Sequence, residues 1–167
     1  MSRRIPRIIA GVPWITEAGE LDPSKYPIDS VLRQTLSPSA DLFRSGCALL
    51  QSMIGHGRTE AGVYLLGLLR HYERDLGRLT VVVESLCVFR TAESASALFH
   101  ELVRIKSSNT TRRYLDCVIA ALTHFPYDMV KDGFAALFAD PSFSPRMQAK
   151  FEEALYQCPM ENPTRSA

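Results

Sequence analysis

Apolar residues return at an interval of 36 along most of the chain. Phe43, Leu79, Leu115 and Phe151 form one column, Cys47, Val83, Ile119 and Leu155 another, and Leu50, Leu86, Leu122 and Cys158 a third. Gly46, Val82, Val118 and Ala154 keep the same interval with small or β-branched residues, and Met53, Phe89 and Phe125 keep it until Glu161 breaks the series. Any amphipathic helix can be slid onto another until their apolar faces agree. A single shift that works over successive intervals without a gap is not what independent helices give, so the pattern predicts an array of helical repeats. Such an array is built to present a surface rather than to carry chemistry.

Local signals divide the array into pairs of helices. The first pair is predicted near 28 to 36 and 39 to 54, the second from about 59 to 72 and 74 to 89. Arg90-Thr91, which echoes Arg58-Thr59, opens a third pair. Its first helix has Ala95, Leu98, Phe99 and Leu102 at i, i+3, i+4 and i+7, and its second runs over 110 to 125, up to Pro126. The fourth is Asp128 to Ala139, with Met129, Val130, Gly133, Phe134, Leu137 and Phe138 on one stripe, followed by Pro145 to Gln157. Ser37-Pro38 and Ser144-Pro145 read as a serine N-cap followed by proline at the first helical position, with polar Glu73 and Asn109 at the equivalent starts. Gly55-His56-Gly57 closes the second helix. From Gly62 to Leu69 the Tyr64 hydroxyl is the sole polar group, which predicts a helix covered on most sides. Glu152, Glu153 and Gln157 read as the polar finish of a terminal repeat.

Three segments follow: a proline-rich arm over 1–27, a helical repeat domain over 28–158 and a frayed tail over 159–167 containing Pro159 and Pro163. The arm holds Pro6, Pro13, Pro23 and Pro27 with Gly11 and Gly19, too dense for a long helix. Ile8, Ile9, Val12, Trp14 and Ile15 make it too apolar for a free tail. It is expected to cap the first helices or to serve as a partner-binding strand anchored by Trp14 and Tyr26.

With 167 residues, 46% of them hydrophobic, the chain can bury a core without disulfides or metal. Nineteen basic residues nearly cancel eighteen acidic ones, which argues against a coat for nucleic acid or anionic membrane. Cys47, Cys87, Cys117 and Cys158 form no C-x-x-C pair and read as reduced, buried thiols. No apolar run reaches the ~20 residues of a membrane span. The start, Met-Ser-Arg-Arg followed by a short apolar stretch that holds Pro13 and Trp14, does not read as a signal peptide, so cytoplasmic residence is the default. His56, His71, His100 and His124 include no helix-borne metal pair. No phosphate-binding glycine loop or nucleophile elbow occurs, so neither catalysis nor a cofactor is expected.

The stretch Ala135-Ala136-Leu137-Phe138-Ala139-Asp140-Pro141, followed by Ser144-Pro145-Arg146-Met147-Gln148-Ala149-Lys150-Phe151-Glu152-Glu153-Ala154-Leu155, resembles a HEAT-type repeat. That family places an Asp-Pro turn before an inner helix of the form Arg-x-x-Ala-x-x-Ala-Leu. Thr111 to Leu122 is similar without the Asp-Pro turn, Arg74 to Phe89 matches in apolar spacing alone, and the first 27 residues do not match. The Trp, Leu-Gly and Tyr positions of tetratricopeptide repeats find no consistent equivalents. The resemblance implies an all-α, right-handed α/α superhelix (solenoid) of about four stacked helix pairs, whose inner helices line a concave binding face. It does not name the ligand.

The polar positions between the apolar columns of the inner helices are the candidate partner-binding residues: Arg44 and Gln51, Arg78 and Glu84, Arg113 and Asp116, Lys150 and Glu153. Mixed charge suits a protein partner, so the expectation is a non-catalytic binding or adaptor module, of which an immunity or antitoxin protein is one form. The competing expectation is a nucleic-acid binder. Arg70, Arg74, Arg78, Arg112, Arg113, Arg146 and Lys150 would form its anionic-ligand edge, aided by Arg3, Arg4 and Arg7.

Overall fold

The computed structural model describes residues 12–160, and Ile8, Ile9, Arg3, Arg4, Arg7 and most of the expected tail lie outside them. Eight helices occur among the described residues: α1 (Ile28–Thr35), α2 (Ala40–Gly55), α3 (Thr59–His71), α4 (Leu76–Leu86), α5 (Ala92–Arg104), α6 (Arg112–Leu122), α7 (Tyr127–Ala139) and α8 (Pro145–Gln157). The chain divides into two compact units after Leu65, within α3. In the first unit α1 packs on α2. In the second, α4 packs on α6 and α6 on α8, while α5 lies against α6 and α7, and α7 against α8.

The columns account for this packing. Phe43, Leu79, Leu115 and Phe151 are buried, as are Cys47, Val83, Ile119, Leu50, Leu86, Leu122, Cys158, Met53, Phe89 and Phe125. Leu155 departs from the rule and is half-buried. The cysteines are free, with Cys47 and Cys158 buried and Cys87 and Cys117 half-exposed. The Cys158 thiol lies within donating distance of the carbonyls of Ala154, at 3.3 Å, and of Leu122, one interval back, at 3.8 Å, and Cys117 donates to that of Thr80 at 3.8 Å.

The residues ahead of α2, α4 and α6 keep the interval as well, at other positions than the sequence suggested. Ser39, not Ser37, caps α2 by accepting from the Leu42 amide at 3.4 Å, and Asp75, not Glu73, caps α4 through the Arg78 amide. Thr111 takes the position ahead of α6 in place of Asn109; its hydroxyl is turned back into the preceding loop, donating to the Lys106 carbonyl at 2.7 Å. Ser37 is occupied one turn earlier, accepting from the Ser39 amide at 3.2 Å. Ser144 with Pro145 does open α8, as expected. α2 ends in a Schellman arrangement: the Gly57 amide bonds Ile54 and the Arg58 amide bonds Met53, with Gly57 at φ 83°.

Two expectations about coverage fail. α3 is not covered on most sides, for Val63 is 63% exposed and Tyr64 and Gly67 are exposed with it. An outward face that carries valine and glycine instead of charge leaves no polar mark in the sequence. The stripe on α7 is buried at Val130, Phe134 and Leu137 but exposed at Met129 and Phe138.

The described part of the arm is a tight loop. Asp22 donates to the Trp14 carbonyl, Thr16 to that of Glu20, and an isolated antiparallel bridge joins Ile15 to Leu21. Trp14 meets Tyr26 edge to face at 6.1 Å. The Arg58 guanidinium donates to the carbonyls of Tyr26 at 2.5 Å and Pro23 at 3.5 Å, tying the arm to the turn before α3. No helix among the described residues is long and apolar enough to cross a membrane.

Candidate functional site

The polar positions of α6 and α8 converge on a cleft of about 220 Å³ lined by Asp116, Ala120, Thr123, Lys150, Glu153 and Gln157. The residues return every three or four places on each helix because intervening neighbours such as Leu115, Val118 and Phe151 are buried in the core. Lys150 forms an ion pair with Asp116 across the two helices. Both side chains remain partly exposed, so the pair is solvent-screened and contributes specificity of shape more than stability.

Toward α4, the Cys117 thiol sits half-buried, and its pKa is pushed up to about 11. Burial is the main cause, the charges of Glu84 and Cys87 add to it and Arg113 opposes it. Glu84 and Arg113 thus flank the same point on the α4–α6 side. A thiol held protonated at neutral pH is a poor nucleophile, and burial raises Cys87 in the same direction.

Five of the eight expected partner-binding residues, Glu84, Arg113, Asp116, Lys150 and Glu153, are therefore gathered on α4, α6 and α8. Arg44, exposed, and Gln51, half-buried, lie on α2 in the first unit. Arg78 differs. Its guanidinium lies 4.8 Å over the Tyr72 ring, donates to the Tyr72 hydroxyl at 2.8 Å and pairs with Asp75 at 3.6 Å. It holds the α3–α4 turn instead of reaching outward.

The residues of the expected anionic-ligand edge lie on several elements. Arg70 lines a cavity of about 620 Å³ with Glu73, Glu93 and His100, on the side of α3 and α5. Arg74 sits on the turn beside Glu73, at 3.7 Å, and Arg112 bonds the Asn109 side chain at 3.1 Å. Arg113 and Arg146 are exposed in the first turns of α6 and α8.

A buried polar cluster went unread in the sequence. Glu101, 5% exposed, receives both nitrogens of a forked Arg104 bond, at 2.9 and 2.5 Å, and the Tyr114 hydroxyl at 2.6 Å. Burial and the bond to Glu101 push the Tyr114 phenol well above its ordinary pKa. Arg104 also donates to the Glu73 carbonyl at 3.0 Å. Both carboxylate oxygens are engaged, so the cluster joins α5 to α6 rather than offering a base. Its signal was Glu101 lying between Leu98 and Leu102, on the buried stripe. Among the described residues no group of three His, Cys, Asp or Glu side chains is placed to hold a metal ion.

Comparison with known protein families, with curated protein sequences and with solved structures returns no match.

Proposed function

We propose that the protein is a non-catalytic binding or adaptor module, a HEAT-like α/α superhelix that receives another protein on the face formed by α4, α6 and α8. The observation that carries this reading is the α6–α8 cleft, where Lys150 and Asp116 pair across the helices beside Glu153, Thr123 and Gln157. Charges of both signs at short spacing on rigid helices match a polar protein surface and give orientation and specificity. The Cys117 thiol between α4 and α6 is held protonated, and the buried Glu101 carboxylate is engaged by Arg104 and Tyr114, so neither supplies an activated group. Charge reversal at Arg113 and Glu153 together is expected to abolish recovery of the partner while the thermal midpoint stays within a few degrees. Equal recovery by wild type and variant refutes the assignment to this face.

One observation favours a second reading, nucleic-acid binding. α1, α2, α3, α5 and α7 each carry an acid in the first turn (Asp29, Asp41, Glu60, Glu93, Asp128) and α4 has Asp75 at its N-cap, whereas α6 and α8 carry no acid in the first turn and have Arg112, Arg113 and Arg146 there. Cations oppose the positive end of a helix dipole, so their placement costs a few tenths of a kcal/mol to about 1 kcal/mol each unless an anion compensates. Fluorescence anisotropy with a generic duplex decides the matter: micromolar binding that falls steeply with salt and is lost on Arg112, Arg113 and Arg146 substitution selects nucleic acid.

A further inference from the structure

We propose that the outer face of the α7–α8 pair is a second docking surface, and that its occupant is an amphipathic helix of a partner protein seated as α7 is seated on α5. This inference stands apart from the α6–α8 cleft and does not depend on it.

The 36-residue interval allows each residue of α7 and α8 to be compared with its equivalent on α5 and α6. Leu102 is fully buried; its equivalent Phe138 is 50% exposed. Ile119 is buried and its equivalent Leu155 is half-exposed, and beside it Tyr156 is 82% exposed. The α5–α6 pair is covered by α7 and α8. Nothing among the described residues covers the corresponding face of α7–α8, which encloses a cleft of about 260 Å³ floored by Phe134 and Phe151 and walled by Tyr127, Phe138 and Tyr156. Of the polar finish expected from Glu152, Glu153 and Gln157, Glu152 alone lies on this face. Glu153 and Gln157 line the α6–α8 cleft, and Glu152 is the one charged residue lining the apolar one.

The chain itself shows what covers such a face. α7 presents Val130, Gly133, Phe134 and Leu137 toward the preceding pair, with the Phe134 ring edge to face on Phe99 at 5.2 Å. Gly133 makes room for this packing, because a Cβ there would run into the Phe99 ring unless the ring shifted. On the open face the equivalent of Phe99 is Ala135, which lines the cleft and leaves vacant the space a ring would take. The incoming helix should therefore carry a large apolar side chain where α7 carries glycine. A basic residue on its flank would meet Glu152. This is helix-in-groove recognition, read by anchors at helical spacing.

The probe is a fluorescent peptide of residues 126–140 of this chain, used as such, with Gly133→Ala and with Gly133→Leu. Each is titrated against the full chain by anisotropy. The alanine peptide raises helicity without filling the cleft, so the leucine peptide is expected to bind at least about tenfold tighter than the alanine one, from burial of the added side chain. Tyr156→Glu and Phe138→Glu in the protein should each abolish binding, and Val103→Glu, exposed on α5, should leave it intact. Circular dichroism and the thermal midpoint confirm that each variant is folded. The proposal is overturned if no peptide saturates at roughly 100 µM, or if leucine binds no tighter than alanine. Binding that survives Tyr156→Glu overturns it too. Sedimentation showing a dimer that Tyr156→Glu dissolves would give the face to a second copy, and flotation with phosphatidylserine vesicles lost in the same variant would give it to a lipid surface.

Discussion

Replacing Gly46 by alanine tests the tightest helix crossing of the first unit. A Cβ at this position lies 2.8 Å from the Thr35 γ-methyl, 2.9 Å from the Thr35 backbone nitrogen and 3.0 Å from the Gln34 Cβ. The backbone contact cannot be relieved by a rotamer change, so α1 must move away from α2. Overpacking of this kind costs about 1–3 kcal/mol. It is offset by the roughly 1 kcal/mol by which alanine is the better helix former, leaving a net loss of up to about 2 kcal/mol. Gly67 in α3 supplies the opposite sign: nothing lies within 4 Å of its added Cβ. Gly67→Ala should therefore stabilise by about 0.5–1 kcal/mol. Urea unfolding of both variants reads the midpoints, with an unchanged slope showing that the denatured state is unaltered. If Gly46→Ala raises the midpoint as much as Gly67→Ala does, α1 does not pack on α2 as described.

Leu86→Ala and Leu122→Ala, both at fully buried positions, should each cost about 2–5 kcal/mol in the same assay, and a loss under about 1 kcal/mol would remove them from the core. Glu101→Ala leaves Arg104 and the Tyr114 hydroxyl without their acceptor and should cost roughly 3 kcal/mol, against about 1 kcal/mol for Tyr114→Phe, measured by thermal unfolding. In native labelling with a thiol reagent, Cys87 and Cys117 should react before Cys47 and Cys158, and rapid modification of the buried pair would contradict their placement. Cys117 keeps its proton in the folded chain to about pH 11 while the unfolded thiol loses it near 9, so the unfolded state binds fewer protons between those values and stability falls as pH rises through them. Cys117→Ser should flatten that fall; an unchanged pH profile would assign it to other groups.

The core was legible because burial at period 36 repeats a helical face, and residues such as Leu50, Leu86 and Leu122 announce themselves by type and spacing together. The outward face of α3 was not, since Val63 and Gly67 carry no polar label. Arg78 looked like one member of an exposed row because spacing places it on a surface face, whereas Tyr72, across a turn, decides where its charge goes. Glu101 was hidden for a related reason: its partners Arg104 and Tyr114 come from its own helix and the next, and periodicity sees only one element at a time. The apolar end of the α7–α8 pair was missed because Glu152 and Glu153 are neighbours in sequence but face different clefts.

The caps Ser39, Asp75 and Thr111 stand one interval apart, but Ser144 comes three residues early while Phe151 keeps its column. α8 has thus gained most of a turn at its start without moving anything behind it. The loops before α2, α4, α6 and α8 act as slack in a measuring tape whose marks are printed on the core. Length can be drawn from the loop into the helix, or returned to it, with the marks unmoved. An inserted turn ahead of Leu76 or Arg112 should be absorbed there, whereas one residue added between Leu79 and Leu86 would rotate every later side chain of that helix by about 100°.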